Sequence, residues 1–211
     1  MFRNRIDAAT QLAAKLIRYK NTDGIVLAIP RGGVTIGKEI AKELNFPLEI
    51  ILSKKIGHPR NPEYAIGSVS ELGMIVNENI TDVPMDYLEE EAARIQIQLK
   101  EKYKLFMGAN KPTDLKNKIV ILVDDGIATG NTILATISMI KKKFPKKLIV
   151  AVPVAPPDTA RRVSKEADEF ICLLTPPDFY AVGQFYEDFL QVSDEEVINM
   201  LGTKQESEKM V

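Results

Sequence analysis

The chain has almost no histidine or cysteine: His58 and Cys172 stand alone among 211 residues. One of each cannot build a His/Cys zinc site, and a lone cysteine cannot close a disulfide within the chain. No stretch approaches the ~20 consecutive apolar residues of a membrane span, so a membrane partner is not expected. Residues Met1 to Arg5 run into a polar-interrupted helix rather than an unbroken apolar stretch, which does not read as a secretory leader. Together these absences predict a reducing, cytoplasmic setting. Excess positive charge is missing as well. The 28 Lys and Arg face 29 Asp and Glu, for a formal charge of −1. A general nucleic-acid binder carries a clear basic excess, so nucleic acid is not an expected partner, although a local basic patch stays open.

What the chain does have is apolar residues at 45%, enough for a full core in one domain. That domain is expected over 1–201. The stretch Lys204 to Lys209 is wholly polar, and 202–211 reads as a flexible tail.

Apolar spacing predicts a helix from Arg5 to Tyr19. Gly24 to Ile29 is a short continuous apolar run, the mark of a strand buried on both faces. Pro30-Arg31-Gly32-Gly33 breaks it, Val34 to Leu44 reads as a helix, and Pro47 to Leu52 as a second strand. Strand, glycine turn, helix and strand make one βαβ unit. Ser53 to Pro62 reads as a polar loop, and Tyr64–Ser70 with Met74–Asn77 as a hairpin turning at Glu71-Leu72-Gly73. A long helix follows within Asp82 to Met107, most secure from Met85. Then come a strand at Lys118 to Val123, a loop, a helix from Thr132 to about Lys143, a strand at Lys147 to Val152, a helix at Asp158 to Ala167, and a strand at Glu169 to Leu174. Alternating strands and helices predict an α/β fold with a doubly wound, mainly parallel sheet.

The densest chemistry lies at Val123-Asp124-Asp125-Gly126-Ile127-Ala128-Thr129-Gly130-Asn131-Thr132, between a strand and a helix. In an open α/β sheet, ligands sit at the carboxyl ends of strands. A helix start offers unpaired N–H groups and a positive dipole end, which suit a phosphate. Gly126 and Gly130 let backbone approach an anion, and Thr129 and Thr132 supply hydroxyl donors. Ionised Asp124 and Asp125 only accept hydrogen bonds and repel phosphate. They suit ligand hydroxyls or a hydrated divalent cation. A phosphate at one end and a diol further on satisfies both halves, as in a ribose 5-phosphate. Walker and dinucleotide-binding glycine patterns are absent. The plain alternative is a helix start capped by Asp125 or Thr129. That fits one acid, one glycine and one threonine better than two of each within ten residues.

This ten-residue segment resembles the signature with which type I phosphoribosyltransferases bind 5-phosphoribosyl-1-pyrophosphate (PRPP). Ile29-Pro30-Arg31-Gly32-Gly33 occupies the place of that family's pyrophosphate loop. Phe2-Arg3-Asn4-Arg5, Lys55-Ile56-Gly57-His58-Pro59, Glu63-Tyr64-Ala65-Ile66-Gly67 and Ala181-Val182-Gly183-Gln184-Phe185-Tyr186 look like one subgroup, known mostly as phosphoribosyltransferases with no assigned substrate. The resemblance runs from Phe2 to about Leu201. It implies a type I phosphoribosyltransferase fold with a small hood, mainly 175–192, and a mobile hairpin and loop region. It implies PRPP and a base as small-molecule partners, Mg2+ as cofactor, and often a homodimer. In the family, the pyrophosphate loop often holds a non-proline cis peptide after the position of Arg31.

By the same resemblance, PRPP is expected on Arg31, Gly32, Asp124, Asp125, Gly126, Ile127, Ala128, Thr129, Gly130, Asn131 and Thr132. Asp124 and Asp125 would hold metal, directly or through water. Lys54 and Lys55, at the end of the second strand, are candidates with those acids for catalysis, because cations ease the departure of pyrophosphate; Arg60 is a further candidate. Solvated loop charge is the competing reading. His58, the only histidine, reads as a loop residue with no chemical role, with an aid to proton transfer as the competing reading. Five of the chain's 14 aromatics fall between Phe179 and Phe189, where the family places its hood. Tyr180, Val182 and Phe185 are the acceptor-binding candidates, and stacking on a planar ring competes there with core packing. Cys172 reads as a small buried hydrophobe.

Ala128 departs from hypoxanthine-guanine enzymes, which usually carry an acid there; the Ala-Thr-Gly run is closer to adenine-type enzymes. The expected activity is a magnesium-dependent pentosyl transfer from PRPP to a nitrogenous base or related heterocycle, within nucleotide metabolism. The alternative is a PRPP- or nucleotide-sensing regulator without catalysis, which needs a basic face or an added DNA-binding domain. A sugar-phosphate hydrolase lacks its nucleophile and base.

Overall fold

The computed structural model describes residues 1–77, 80 and 82–202; the polar segment Lys204 to Lys209 lies outside them. The elements are α1 (Arg5–Leu16), β1 (Gly24–Ala28), α2 (Gly32–Leu44), β2 (Leu48–Ile50), β3 (Ser53–His58), β4 (Asn61–Ser70), β5 (Gly73–Val76), α3 (Met85–Met107), β6 (Ile119–Val123), α4 (Asn131–Lys141), β7 (Lys147–Val154), α5 (Pro157–Glu166), β8 (Glu169–Leu174) and α6 (Asp194–Leu201).

Five strands form one parallel sheet in the order β2-β1-β6-β7-β8. β1 and β6 are buried along their whole length, as their unbroken apolar sequences require. Alternate residues feed two cores. Val26, Ala28, Ile121 and Val123 pack under α1 and α2; Ile25, Leu27, Val120 and Leu122 pack under α4 and α5. This is the doubly wound α/β architecture that the alternating pattern predicts.

From β1 the chain winds out to β2 in one direction, and β6 starts the other half on β1's opposite side. The boundary between β1 and β6 is therefore the topological switch point, where connections diverge and open a crevice. Ala28 pairs with Val123 at the ends of these strands, and Ile29 N–H donates to Val123 O at 3.0 Å. The two glycine-containing loops thus leave the sheet side by side.

Two elements differ from the sequence expectation. Ser53 to His58 is a strand rather than a loop, and it heads a separate antiparallel sheet β3-β4-β5. Its only fully buried side chain is Ile56, and its register shifts around Gly57. A strand with one inward residue and a bulge leaves no alternating pattern to read. The second is α6, which was not anticipated. Ser193 and Glu196 form a reciprocal capping box at its start, a signal present in the sequence as Ser-x-x-Glu. α6 buries Val197 with residues of α3 in the same core.

Candidate active site at the switch point

The turn after β1 and the loop after β6 press against each other. A Cβ on Gly33 would lie 3.0 Å from Asp124 Cα, and one on Gly32 only 1.8 Å from Asp125 Oδ2. Close approach to the acids is a sufficient reason for both glycines. The peptide between Pro30 and Arg31 is cis, one bond earlier than the resemblance suggests. The N–H groups of Arg31, Gly32 and Gly33 have no acceptor among the described residues. Arg31 itself is exposed and reaches toward Asp194 at the start of α6, 3.6 Å away.

Beyond the acids, the loop turns into a helix start without a side-chain cap. Gly130 is the N-cap residue, in the left-handed region at φ 77°, and neither Asp125 nor Thr129 caps α4. The positive φ explains glycine here. The N–H groups of Ala128, Thr129, Gly130, Asn131 and Thr132 have no acceptor among the described residues. Their carbonyl side is held instead: Thr159 Oγ1 donates to Ala128 O at 2.9 Å and Arg162 Nη1 to Thr129 O at 3.2 Å. Carbonyls tied back and N–H groups left unpaired form a nest of the kind that suits an anion. Gly126 has a different reason for its size. A Cβ there would meet Val182 Cγ1 at 2.5 Å, so the glycine admits the hood and not an anion.

The paired acids have separate surroundings. Asp124 borders the cleft, and its Oδ1 accepts the Asp125 N–H at 2.8 Å. Burial, followed by the charge of Asp125, pushes its carboxyl well above the ordinary range. Asp125 faces away from the cleft toward Arg5. Its Oδ2 accepts from Arg5 Nε at 2.8 Å, with Nη2 also at 2.8 Å. Burial raises the Asp125 carboxyl, and the Arg5 charge opposes that rise. The forked pair favours the ionised form of Asp125, so Asp124 is the more readily protonated of the two acids. Arg5 also donates to Leu190 O at 2.7 Å and lies 3.8 Å from the Phe189 ring centre. In the sequence Arg5 stands out only as part of the segment Phe2-Arg3-Asn4-Arg5 that resembles the family. A buried arginine 120 residues from its partner leaves no local signal.

The cleft itself encloses about 750 Å³ and is bordered by the Ile29–Arg31 turn, the Ile51–Lys54 strand end, Asp124, Thr132 and the α3 residues Gln98, Leu99 and Lys102. The two candidate lysines part company. Successive residues in a strand point to opposite faces: Lys54 borders the cleft and bonds Gln98 Oε1 at 2.9 Å, whereas Lys55 pairs with Glu63 at 2.9 Å and does not border it. Gln98 and Lys102 were not anticipated, since they sit in a helix crowded with charge. Arg60 lies at the exposed β3–β4 turn. His58 Nε2 is 3.3 Å from Asp82 Oδ2.

The hood is stitched to the N-terminus. Phe2 N–H donates to Phe185 O, and Glu187 N–H to Phe2 O. Buried Tyr186 stacks on Phe189 and donates its hydroxyl to Asp125 O at 2.6 Å. Of the acceptor candidates, Val182 reaches the loop at Gly126, Phe185 stacks on Phe179, and Tyr180 is 87% exposed. None of the three borders the cleft described above. Cys172 is partly buried; that burial pushes its thiol up to about 11, in line with a packing role.

Among the described residues no group of three or more His, Cys, Asp or Glu side chains could hold a metal ion, and no helix is long and apolar enough to cross a membrane.

Comparison with known proteins places this geometry. Residues 2–190 match the phosphoribosyl transferase domain family. The chain is 36% identical over 205 residues to "Putative phosphoribosyl transferase Rv0571c" of Mycobacterium tuberculosis H37Rv, across 95% of its own length and 46% of the relative's. The CDC 1551 strain's counterpart, MT0597, matches with the same figures. The chain thus spans about half the length of the curated relatives it matches. Among solved structures, TT1426 from Thermus thermophilus is 37% identical, with a TM-score of 0.85 over 95% of this chain and 97% of that one.

Proposed function

The chain belongs to the phosphoribosyl transferase domain family, and from that premise we propose that it transfers the 5-phosphoribosyl group of PRPP to a nitrogenous base or related heterocycle, releasing pyrophosphate. The observation that carries this reading is the nest of unpartnered N–H groups from Ala128 to Thr132 at the switch point, with a cleft bordered by Asp124, Arg31, Lys54 and Lys102 beside it.

In this reading the nest and the hydroxyls of Thr129 and Thr132 hold the 5-phosphate. Asp124 accepts ribose hydroxyls. The free N–H groups of Arg31, Gly32 and Gly33, with Lys54, face the pyrophosphate. Gly126 and Ile127 support the sheet and, through Val182, the hood that would receive the acceptor. Asp125 contributes by locking the loop onto Arg5. The acceptor nitrogen forms a bond to C1 as the C1–O bond to pyrophosphate breaks, the electron pair leaves on the pyrophosphate oxygen, and the proton of the acceptor ring N–H passes to water. The protein needs no covalent nucleophile. It positions the two reactants and stabilises separating charge.

The residues fit a magnesium ion carried by the ligand. Mg2+ is commonly bound by one or two carboxylates plus substrate phosphates. Asp124 offers one such carboxylate at the cleft, with one oxygen already committed to the Asp125 N–H. Bound there, the ion would neutralise charge on the pyrophosphate.

The test is to incubate the protein with PRPP, MgCl2 and a panel of purine, pyrimidine and related heterocyclic bases while following pyrophosphate. Release that depends on one base is expected. Binding of PRPP without release on any base would turn the reading toward a sensor, and no stabilisation by PRPP or nucleotides at high concentration would refute the ligand assignment itself.

A further inference from the structure

Helix α3 forms one wall of the cleft through Gln98, Leu99 and Lys102. Positions 98 and 102 are one turn apart and share a face with 99. Leu99 is buried and anchors that face, while Gln98 and Lys102 stay exposed. Gln98 Oε1 holds the Lys54 ammonium, which restrains a flexible four-carbon cation at the cleft wall. Lys102 has no carboxylate partner among the described residues; its ammonium lies 5.6 Å from the Phe106 ring centre.

Three cations from three separate elements therefore border one cavity: Arg31 from the β1–α2 turn, Lys54 from β3 and Lys102 from α3. Among the described residues, Asp124 is the only carboxylate in the lining. Concentrated charge of one sign in a cleft favours a ligand carrying several charges of the other. The cations also sit at a particular end. Of the nest residues 128–132 only Thr132 borders this cavity, so the cluster lies with the β1–α2 turn.

We propose that Lys102 is a pyrophosphate-binding residue, acting with Arg31 and the Gln98-held Lys54 on the diphosphate half of PRPP. The inference rests on the sugar-phosphate reading above and adds α3 to the site. It also names the cation that joins Lys54. Lys55 points away and pairs with Glu63, and Lys102 takes that place from across the cleft. As the C1–O bond breaks, negative charge grows on the departing pyrophosphate, and a fixed ammonium beside it lowers the barrier.

Calorimetric titration of the full chain with PRPP and with ribose 5-phosphate, each with MgCl2, separates the two halves of the ligand. Lys102→Gln is expected to weaken PRPP ~10-fold, the worth of one hydrogen bond to a charged group, and to leave ribose 5-phosphate within about twofold. Lys102→Arg should restore most of the loss. Lys100→Gln, on the same helix outside the cleft lining, changes net charge equally and should change neither affinity. Thermal midpoints confirm that each variant folds. Equal losses for both ligands, or no loss for PRPP, would overturn the assignment. A wild-type protein that binds ribose 5-phosphate as tightly as PRPP would overturn the pyrophosphate role alone. One that binds neither would overturn the underlying sugar-phosphate reading and this inference with it.

Discussion

Removing the Arg5 guanidinium tests how the signature loop is held. The Arg5 and Asp125 side chains are only 10% and 16% exposed, so their pairing is poorly screened. Arg5→Met keeps most of the side-chain volume but strips two N–H contacts from Asp125 Oδ2, one from Leu190 O and the cation from the face of Phe189. Breaking a buried pair by deleting one partner costs ~3–5 kcal/mol, mostly because the remaining charge is left uncompensated. The Leu190 carbonyl can recover a water partner at the hood's edge, so the lower half of that range is the sharper expectation. Arg5→Met combined with Asp125→Asn removes both charges and should recover part of the loss. A coupling of about 1–3 kcal/mol is expected for groups in direct contact. The loss should also shrink at low pH: without Arg5 the largest opposition to the burial that raises the Asp125 carboxyl is gone, and a protonated Asp125 leaves no buried charge to compensate. Equilibrium urea unfolding of wild type, both single variants and the double variant at pH 8 and pH 5.5 measures all of this. A loss below ~1 kcal/mol for Arg5→Met at pH 8, or strict additivity in the cycle, would show that the pair does not hold the loop.

Glu71 gives a second pH-dependent expectation. Burial, with Glu49 nearby, raises its carboxyl from 4.5 to about 7, so the folded state binds an extra proton between those values and stability falls as pH rises through that window. Glu71→Gln removes this penalty while keeping an acceptor for the Leu52 N–H; the variant should match wild type near pH 4.5 and exceed it by up to about 3 kcal/mol above pH 7, read by unfolding midpoints, and an unchanged difference across pH would refute it. Gly126→Ala drives a methyl into Val182 and Val154 and should destabilise by ~1–3 kcal/mol while weakening acceptor use more than ribose 5-phosphate binding; equal effects on both would count against the hood contact. With its thiol raised to about 11, Cys172 should react with a disulfide reagent at pH 7.5 far more slowly in the native protein than in urea, and comparable rates would contradict its burial.

Much of this fold is readable because periodicity and apolar runs report burial directly. β1 and β6 are unbroken apolar runs, buried along their whole length, and the sheet around them follows from strand and helix alternation. The β3 ribbon was hidden because only Ile56 is fully buried along it, so its backbone pairing leaves no hydrophobic trace. The acid-glycine-threonine loop could be located from residue types alone. Its division of labour could not, because that depends on partners far away in sequence: Arg5, Val182, Tyr186 and Thr159. The same limit explains Lys54 and Lys55. Residue type makes them equivalent, and only strand pairing turns one to the cleft and the other to Glu63.

The ten residues from Val123 to Thr132 thus work in two directions. Asp125 and Gly126 turn inward, to Arg5 and to Val182, and tie the loop to the N-terminus and the hood. Asp124 turns to the cleft, and Ala128 to Thr132 offer free N–H groups to an anion. Substitutions at the first pair should therefore appear mainly as lost stability, and substitutions in the second set as lost affinity. The two acids are adjacent, but they are not duplicates: Arg5 holds one in place, and the other borders the cleft.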